Sequence, residues 1–174
     1  KRVIAYSGIS HTGFMLMTLL NINSAENNLL FYATSYAIAG LAVFAVILFV
    51  VKNEDNDFIE NFDGLGKKHP LMAFVMTIAL LSMAGIPIFA GFFAKFFLLN
   101  QIITSGFIVL AIVAIINSMI AVYYYFKIVV AMYTKEPTYG KVYANHSEYY
   151  IVGIVATVLL ILIGLFPDAI MNLL

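Results

Sequence analysis

Long unbroken apolar runs separated by short polar connectors organise this chain, and the run lengths are those of helices that cross a bilayer. A hydrocarbon core about 30 Å thick needs roughly 20 apolar helical residues. On that criterion five transmembrane helices are expected, at residues 3–20, 29–51, 71–103, 107–133 and 149–166. Barrel strands would show short alternating segments instead, and lipid tolerates only these two solutions. The connectors carry turn chemistry: Asn21-Ile22-Asn23-Ser24, Asp63-Gly64, Glu136-Pro137, and Pro167 after the last run. Between the second and third runs, Phe58, Ile59, Phe62 and Leu65 recur at helical spacing among Asp57, Glu60 and Asp63. That spacing describes a short amphipathic helix on the membrane surface, although a solvated loop with some apolar residues accounts for it equally well.

Composition agrees with the pattern. The chain is 63% hydrophobic and 10% charged, with a mean hydropathy of +1.00, too little polar surface to coat a globule. An all-α integral membrane protein is expected, residues 1–174 forming one transmembrane domain. The absence of cysteine excludes disulfides and thiolate metal or iron–sulfur sites, and a net charge of zero leaves no basic face for nucleic acid. His11, His69 and His146 lack metal-ligand spacing, and no GxGxxG, Walker loop or HExxH is present. The chain opens at Lys1-Arg2 without methionine, and the following run contains Tyr6, Ser7, Ser10, His11 and Thr12, which no signal-peptide core would carry. It therefore reads as a fragment of something longer.

Basic residues set the expected orientation. Lys1, Arg2, Lys52, Lys67, Lys68, Lys127, Lys135 and Lys141 fall in loops or at helix ends on one side, while the opposite connectors contain no Lys or Arg. By the positive-inside rule the N-terminus is cytoplasmic and Leu174 is outside. The ninth basic residue, Lys95, lies within the third apolar run.

That run is too long to cross unbroken: 33 residues of helix would measure close to 50 Å. Ser82-Met83-Ala84-Gly85-Ile86-Pro87 marks the expected break, since Gly85 is flexible and Pro87 lacks an N–H and clashes with a preceding turn. Such breaks leave backbone groups unpaired at mid-depth and recur at ion-coupling sites. Lys95 lies nine residues before Thr104, about 13 Å along a helix and too deep to reach the interface easily. An intramembrane lysine is costly, and by default it marks a site of proton transfer. The alternative is a lysine pinned permanently in an ion pair, yet no Asp or Glu lies inside any of the five spans.

His11 lies at similar depth on the first span and has the side chain best suited to relay a proton near neutral pH. Tyr6, Ser7, Ser10, Tyr36 and Asn117 are candidates for lining a path between them. Each serves equally as hydrogen-bonding glue between membrane helices. Tyr123, Tyr124 and Tyr125 precede Lys127 and read as interfacial anchors, and Ala33, Ala37 and Gly40 as a face for close helix packing.

Three segments make a resemblance specific: Lys1-Arg2-Val3-Ile4-Ala5-Tyr6-Ser7-Gly8-Ile9-Ser10-His11; His69-Pro70 leading through Ser82–Pro87 to Gly91-Phe92-Phe93-Ala94-Lys95-Phe96; and Tyr123-Tyr124-Tyr125-Phe126-Lys127. In this order and spacing the chain resembles the C-terminal part of the antiporter-like subunit N family of respiratory complex I, over nearly its whole length. The resemblance implies a fourteen-helix fold with inverted repeats, of which these spans would be helices ten to fourteen and the broken third span helix twelve. It places Lys95 in the outlet half of a proton path and His11 on the central hydrophilic axis. Lys95 is unlike the glutamate of sister subunit M, and Phe96 unlike the aspartate that usually follows the lysine of subunit L. Gly8 departs from the family, where serine is common, and the inlet glutamate and lysines fall outside this sequence.

By that resemblance the chain is a proton-translocating subunit of an NADH:quinone oxidoreductase in a bacterial inner membrane. No redox chemistry is expected in it: NADH, FMN, iron–sulfur clusters and quinone would belong to other parts of the complex. Its partners would be subunit M, small subunits such as K and J, and the lipid bilayer. A subunit of a multisubunit cation/proton antiporter and a non-conducting membrane scaffold are the two other readings.

Overall fold

The computed structural model describes residues 1–20, 25–51, 58–137 and 147–171. Every regular element among them is helical. Helix α1 (Arg2–Met17) runs into a 3-10 turn at Thr18–Leu20, and α2 covers Ala25–Val51. A 3-10 turn at Ile59–Phe62 and the single-turn α3 (Leu65–Lys68) lead into α4 (Pro70–Ala84). Then follow α5 (Ala90–Thr104), α6 (Ile108–Thr134), α7 (Ser147–Leu165) and the short α8 (Pro167–Met171).

Four of these helices, over Arg2–Leu20, Glu26–Val51, Ile108–Thr134 and Ser147–Leu165, are long and apolar enough to cross a membrane. Helices α4 and α5 have 15 residues each, so either alone reaches only about 22 Å. The expected amphipathic helix near residue 60 is instead the 3-10 turn and α3, because Gly64, in the left-handed region at φ 65°, interrupts it. The Asn21–Ser24 turn, Lys52, Asp57, Lys141 and His146 lie outside the described residues.

The core sits between α2, α4, α5 and α7, which pack on one another, while α1 touches α2, α5 and α6. On α2 the buried positions Phe31, Ser35, Ala39, Ala42, Val46 and Val50 follow the three-and-four spacing of one helix face. Helix α6 buries Ala114, Ala121, Tyr125, Ile128 and Met132, and leaves Val109, Ile112, Ile116, Met119 and Ile120 exposed. An apolar outer face of that size suits lipid or another membrane subunit, not water.

The expected packing face of Ala33, Ala37 and Gly40 is corrected by the geometry: a Cβ on Gly40 would meet nothing within 4 Å. The tight glycines are elsewhere. A Cβ on Gly91 would lie 1.9 Å from the Ser82 carbonyl oxygen, and one on Gly164 would lie 2.1 Å from the Ile88 carbonyl oxygen. Gly91 thus lets α5 start against the end of α4, and Gly164 lets α7 press on the link between them.

At one end of the bundle, Lys67 pairs with Glu136 at 2.5 Å and Lys135 with Asp63 at 3.1 Å. Lys1 and Arg2 line a cavity there with Phe58, Ile59 and Phe62, and Lys127 lines another with Phe58 and Glu60. The described basic residues other than Lys95 thus gather around residues 58–68.

Candidate functional site: a lysine seated at a helix junction

Helix α4 stops where the chain turns left-handed at Gly85, φ 87°. The last four carbonyls of a helix have no partner within it. Here the Ile86 N–H donates to the Leu81 carbonyl at 3.0 Å and the Gly85 N–H to the Ser82 carbonyl at 2.9 Å, the paired closure common at glycine-terminated helices. The carbonyls of Met83 and Ala84 remain. Lys95 Nζ donates to both, at 2.9 and 3.1 Å.

All four terminal carbonyls of α4 are therefore satisfied, two by the turn and two by a side chain from the next helix. The start of α5 is closed reciprocally, with the Gly91 N–H donating to Ser82 Oγ at 3.1 Å. Between the two helices, Ile88 has φ 87°, a strained conformation for a β-branched residue, in the stretch that Gly164 holds from the other side.

Lys95 is 7% exposed. Its ammonium lies 5.4 Å from the centre of the Phe14 ring, and the negative end of the α4 dipole faces it. Sequence reasoning sought a carboxylate partner for this lysine and missed the carbonyls. The signal was present in Gly85, which terminates a helix and so frees carbonyls at that depth.

Across the bundle, His11 is 6% exposed. Its Nδ1 is 2.9 Å from the Tyr32 hydroxyl, its Nε2 is 3.3 Å from the Tyr125 hydroxyl, and its ring stacks on Tyr36 at 4.5 Å between centroids. Tyr125 also hydrogen-bonds Ser7. Phe14, one turn after His11 on α1, stacks on Tyr32 at 6.0 Å, so the aromatic ring over which Lys95 sits belongs to the same cluster as the histidine.

The structure therefore brings Ser7 and Tyr36 to His11. A Cβ at Gly8 would lie 3.1 Å from the Tyr36 hydroxyl, so glycine at this position leaves room for that ring. Ser10 and Asn117 are joined to each other, with Asn117 Nδ2 donating to Ser10 Oγ at 2.6 Å on an exposed face. Tyr6 is 72% exposed and lies apart from the cluster. Pro87 lies in the link after Gly85, outside both helices.

The reading of three interfacial tyrosines is corrected at Tyr125, which is 1% exposed, whereas Tyr123 is 74% exposed. Ala121, Tyr125, Ile128 and Met132 share one helical face, and that spacing was the signal for burial. Among the described residues no group of three or more His, Asp or Glu side chains could hold a metal ion.

Residues 1–121 match the family model described as NADH:quinone oxidoreductase/Mrp antiporter, TM. The chain belongs to this family. Members include NADH-quinone oxidoreductase subunit N of Flavobacterium psychrophilum, 54% identical over the whole of this chain, and that of Flavobacterium johnsoniae, 52% identical over the same extent. Among solved structures, a chain of respiratory complex I from Thermus thermophilus with bound aureothin superposes with a TM-score of 0.84 at 30% identity over 99% of this chain. This chain spans 38% and 37% of the two Flavobacterium relatives and 39% of the Thermus chain. Like other members of the NADH:quinone oxidoreductase/Mrp antiporter family, it is a multi-pass membrane protein.

Proposed function

We propose that this chain is part of subunit N of a complex I-type NADH:quinone oxidoreductase, and that it moves protons along a buried axis from His11 to Lys95. The observation that carries the reading is the seat of Lys95 on the Met83 and Ala84 carbonyls. An ammonium has three N–H donors and a neutral amine has two. Two carbonyls hold Nζ in either state, and the third position is where a proton arrives and leaves.

In the bilayer α1, α2, α6 and α7 each form a span, and α4 with α5 form one span broken at Gly85 and Pro87, within the fourteen-helix antiporter-like fold. The basic end around residues 58–68 faces the cytoplasm of a bacterial inner membrane, the N-terminus with it, and Leu174 faces outside. Lys95 then lies on the outlet side. Subunit M and small subunits such as K and J are its neighbours, and NADH, FMN, iron–sulfur clusters and quinone act elsewhere in the complex.

Replacing Lys95 by alanine in the assembled complex, with proton pumping measured in vesicles, tests the reading. A lowered proton-to-electron ratio supports it, and an undiminished ratio removes Lys95 from the path.

A further inference from the structure

Between His11 and the α4–α5 junction lies a small cavity of ≈ 10 Å³, lined by His11, Tyr32, Ser35, Tyr36, Ser82 and Met83 among others. We infer that it is a binding site for a single ordered water molecule held by Ser35 and Ser82, linking the His11 cluster to the seat of Lys95. The inference rests on the proposed proton path and adds to it the element that joins its two ends.

Three observations converge. Ser35 is 2% exposed, and its Oγ has no hydrogen-bond partner in the protein. Buried hydroxyls are nearly always satisfied by protein or by ordered water, and Ser35 lines this cavity. The volume is about that of one water-sized probe, the least space that holds a water, and a buried water needs two to four polar partners.

The walls supply those partners. Ser82 Oγ accepts from the Gly91 N–H and keeps its own O–H to donate into the cavity. The Tyr32 oxygen, engaged with His11 Nδ1, has a lone pair free to accept. The hydrogen bonds of His11 go to Tyr32 and Tyr125, and those of Lys95 go to the carbonyls of Met83 and Ala84, so neither side chain reaches the other. Met83 belongs to both the cavity wall and the lysine seat. A water here accepts a proton on the Tyr32 side and gives one up on the Lys95 side, leaving its own composition unchanged. Ser35 and Ser82 act by positioning that water.

The test uses the assembled complex. A cryo-EM map fine enough to show ordered water should have density within hydrogen-bond distance of Ser35 Oγ; Ser35→Ala should abolish it, and Ser35→Thr, which keeps the hydroxyl, should retain it. In vesicles, Ser35→Ala should lower the proton-to-electron ratio to the level of Lys95→Ala, and Ser35→Thr should restore it. A wild-type map with no density at this position overturns the inference, as does a wild-type ratio in Ser35→Ala. Should Lys95→Ala itself pump normally, the proton path falls, and the density measurement still decides whether the water site exists.

Discussion

Lys95 Nζ lies 2.9 Å from the carbonyl oxygen of Met83, twelve residues earlier in the chain, so a side chain closes the helix that precedes its own. The same carbonyl is free because Gly85 ends that helix. A Cβ on Gly85 would sit 3.0 Å from Lys95 Cδ and 3.4 Å from Nζ, which ties the turn and the lysine to each other.

Gly85→Ala therefore acts twice. It strains a left-handed position by about 1–2 kcal/mol and pushes on the lysine stem. Gly106 is also left-handed, at φ 86°, but a Cβ there meets nothing within 4 Å. Both alanine variants should lower the thermal stability of the complex, and only Gly85→Ala should also lower the proton-to-electron ratio in vesicles. Equal ratios in the two would show that Gly85 has no link to Lys95.

Tyr125→Phe removes the hydroxyl that Ser7 and His11 share and leaves Ser7 Oγ buried without its partner. A loss of about 1–3 kcal/mol follows. Tyr123→Phe, on the exposed face, should change stability by less than about 0.5 kcal/mol. Thermal unfolding of the two variants in the assembled complex separates them, and a reversed order would contradict the buried placement of Tyr125.

Gly164→Ala drives a methyl group into the Ile88 carbonyl and should destabilise the complex by several kcal/mol, or prevent assembly, as overpacking of a backbone contact does. Gly40→Ala should be neutral or stabilising by up to about 1 kcal/mol, because alanine is the better helix former. Assembly yield and melting temperature report on both.

Burial beside Phe49 and Tyr150, and then the charge of Lys68, hold the His69 imidazole below its ordinary value of 6.5. Because the folded form resists protonation, its stabilising contribution is full above about pH 6.5 and is lost as the pH falls below that. The His69 carbonyl accepts from the Ala73 N–H in the first turn of α4. Hydrogen exchange at Ala73, corrected for the intrinsic rate, should quicken below pH 6.5 in the wild type and lose that dependence in His69→Gln. An unaltered profile in the variant would assign the effect to another group.

Helices were the most legible part of this chain, because apolar run length and the Gly85-Ile86-Pro87 signal are local. Lys95 and His11 were legible as anomalies, being the polar side chains an apolar span is least expected to hold. The partners they found were not. Met83 and Ala84 bind Lys95 through backbone oxygens, which no residue type reveals, and Tyr125 looked interfacial because its neighbours Tyr123 and Lys127 do. Small residues misled in the same way: Gly40 fits a packing pattern, but the close contacts at Gly91 and Gly164 depend on where the link between α4 and α5 passes. Tyr6 shares a helix with His11 yet points away, a matter of helical phase.

The central claim is that Lys95 gives up and regains its proton during turnover, as opposed to holding the helix junction as a fixed cation. Arginine separates the two, since its guanidinium donates to carbonyls as lysine does but is never deprotonated in a protein. The measurement is the proton-to-electron ratio of Lys95→Arg complex in vesicles, beside Lys95→Ala. The account predicts that Lys95→Arg assembles and pumps no better than Lys95→Ala; pumping at the wild-type ratio would contradict it.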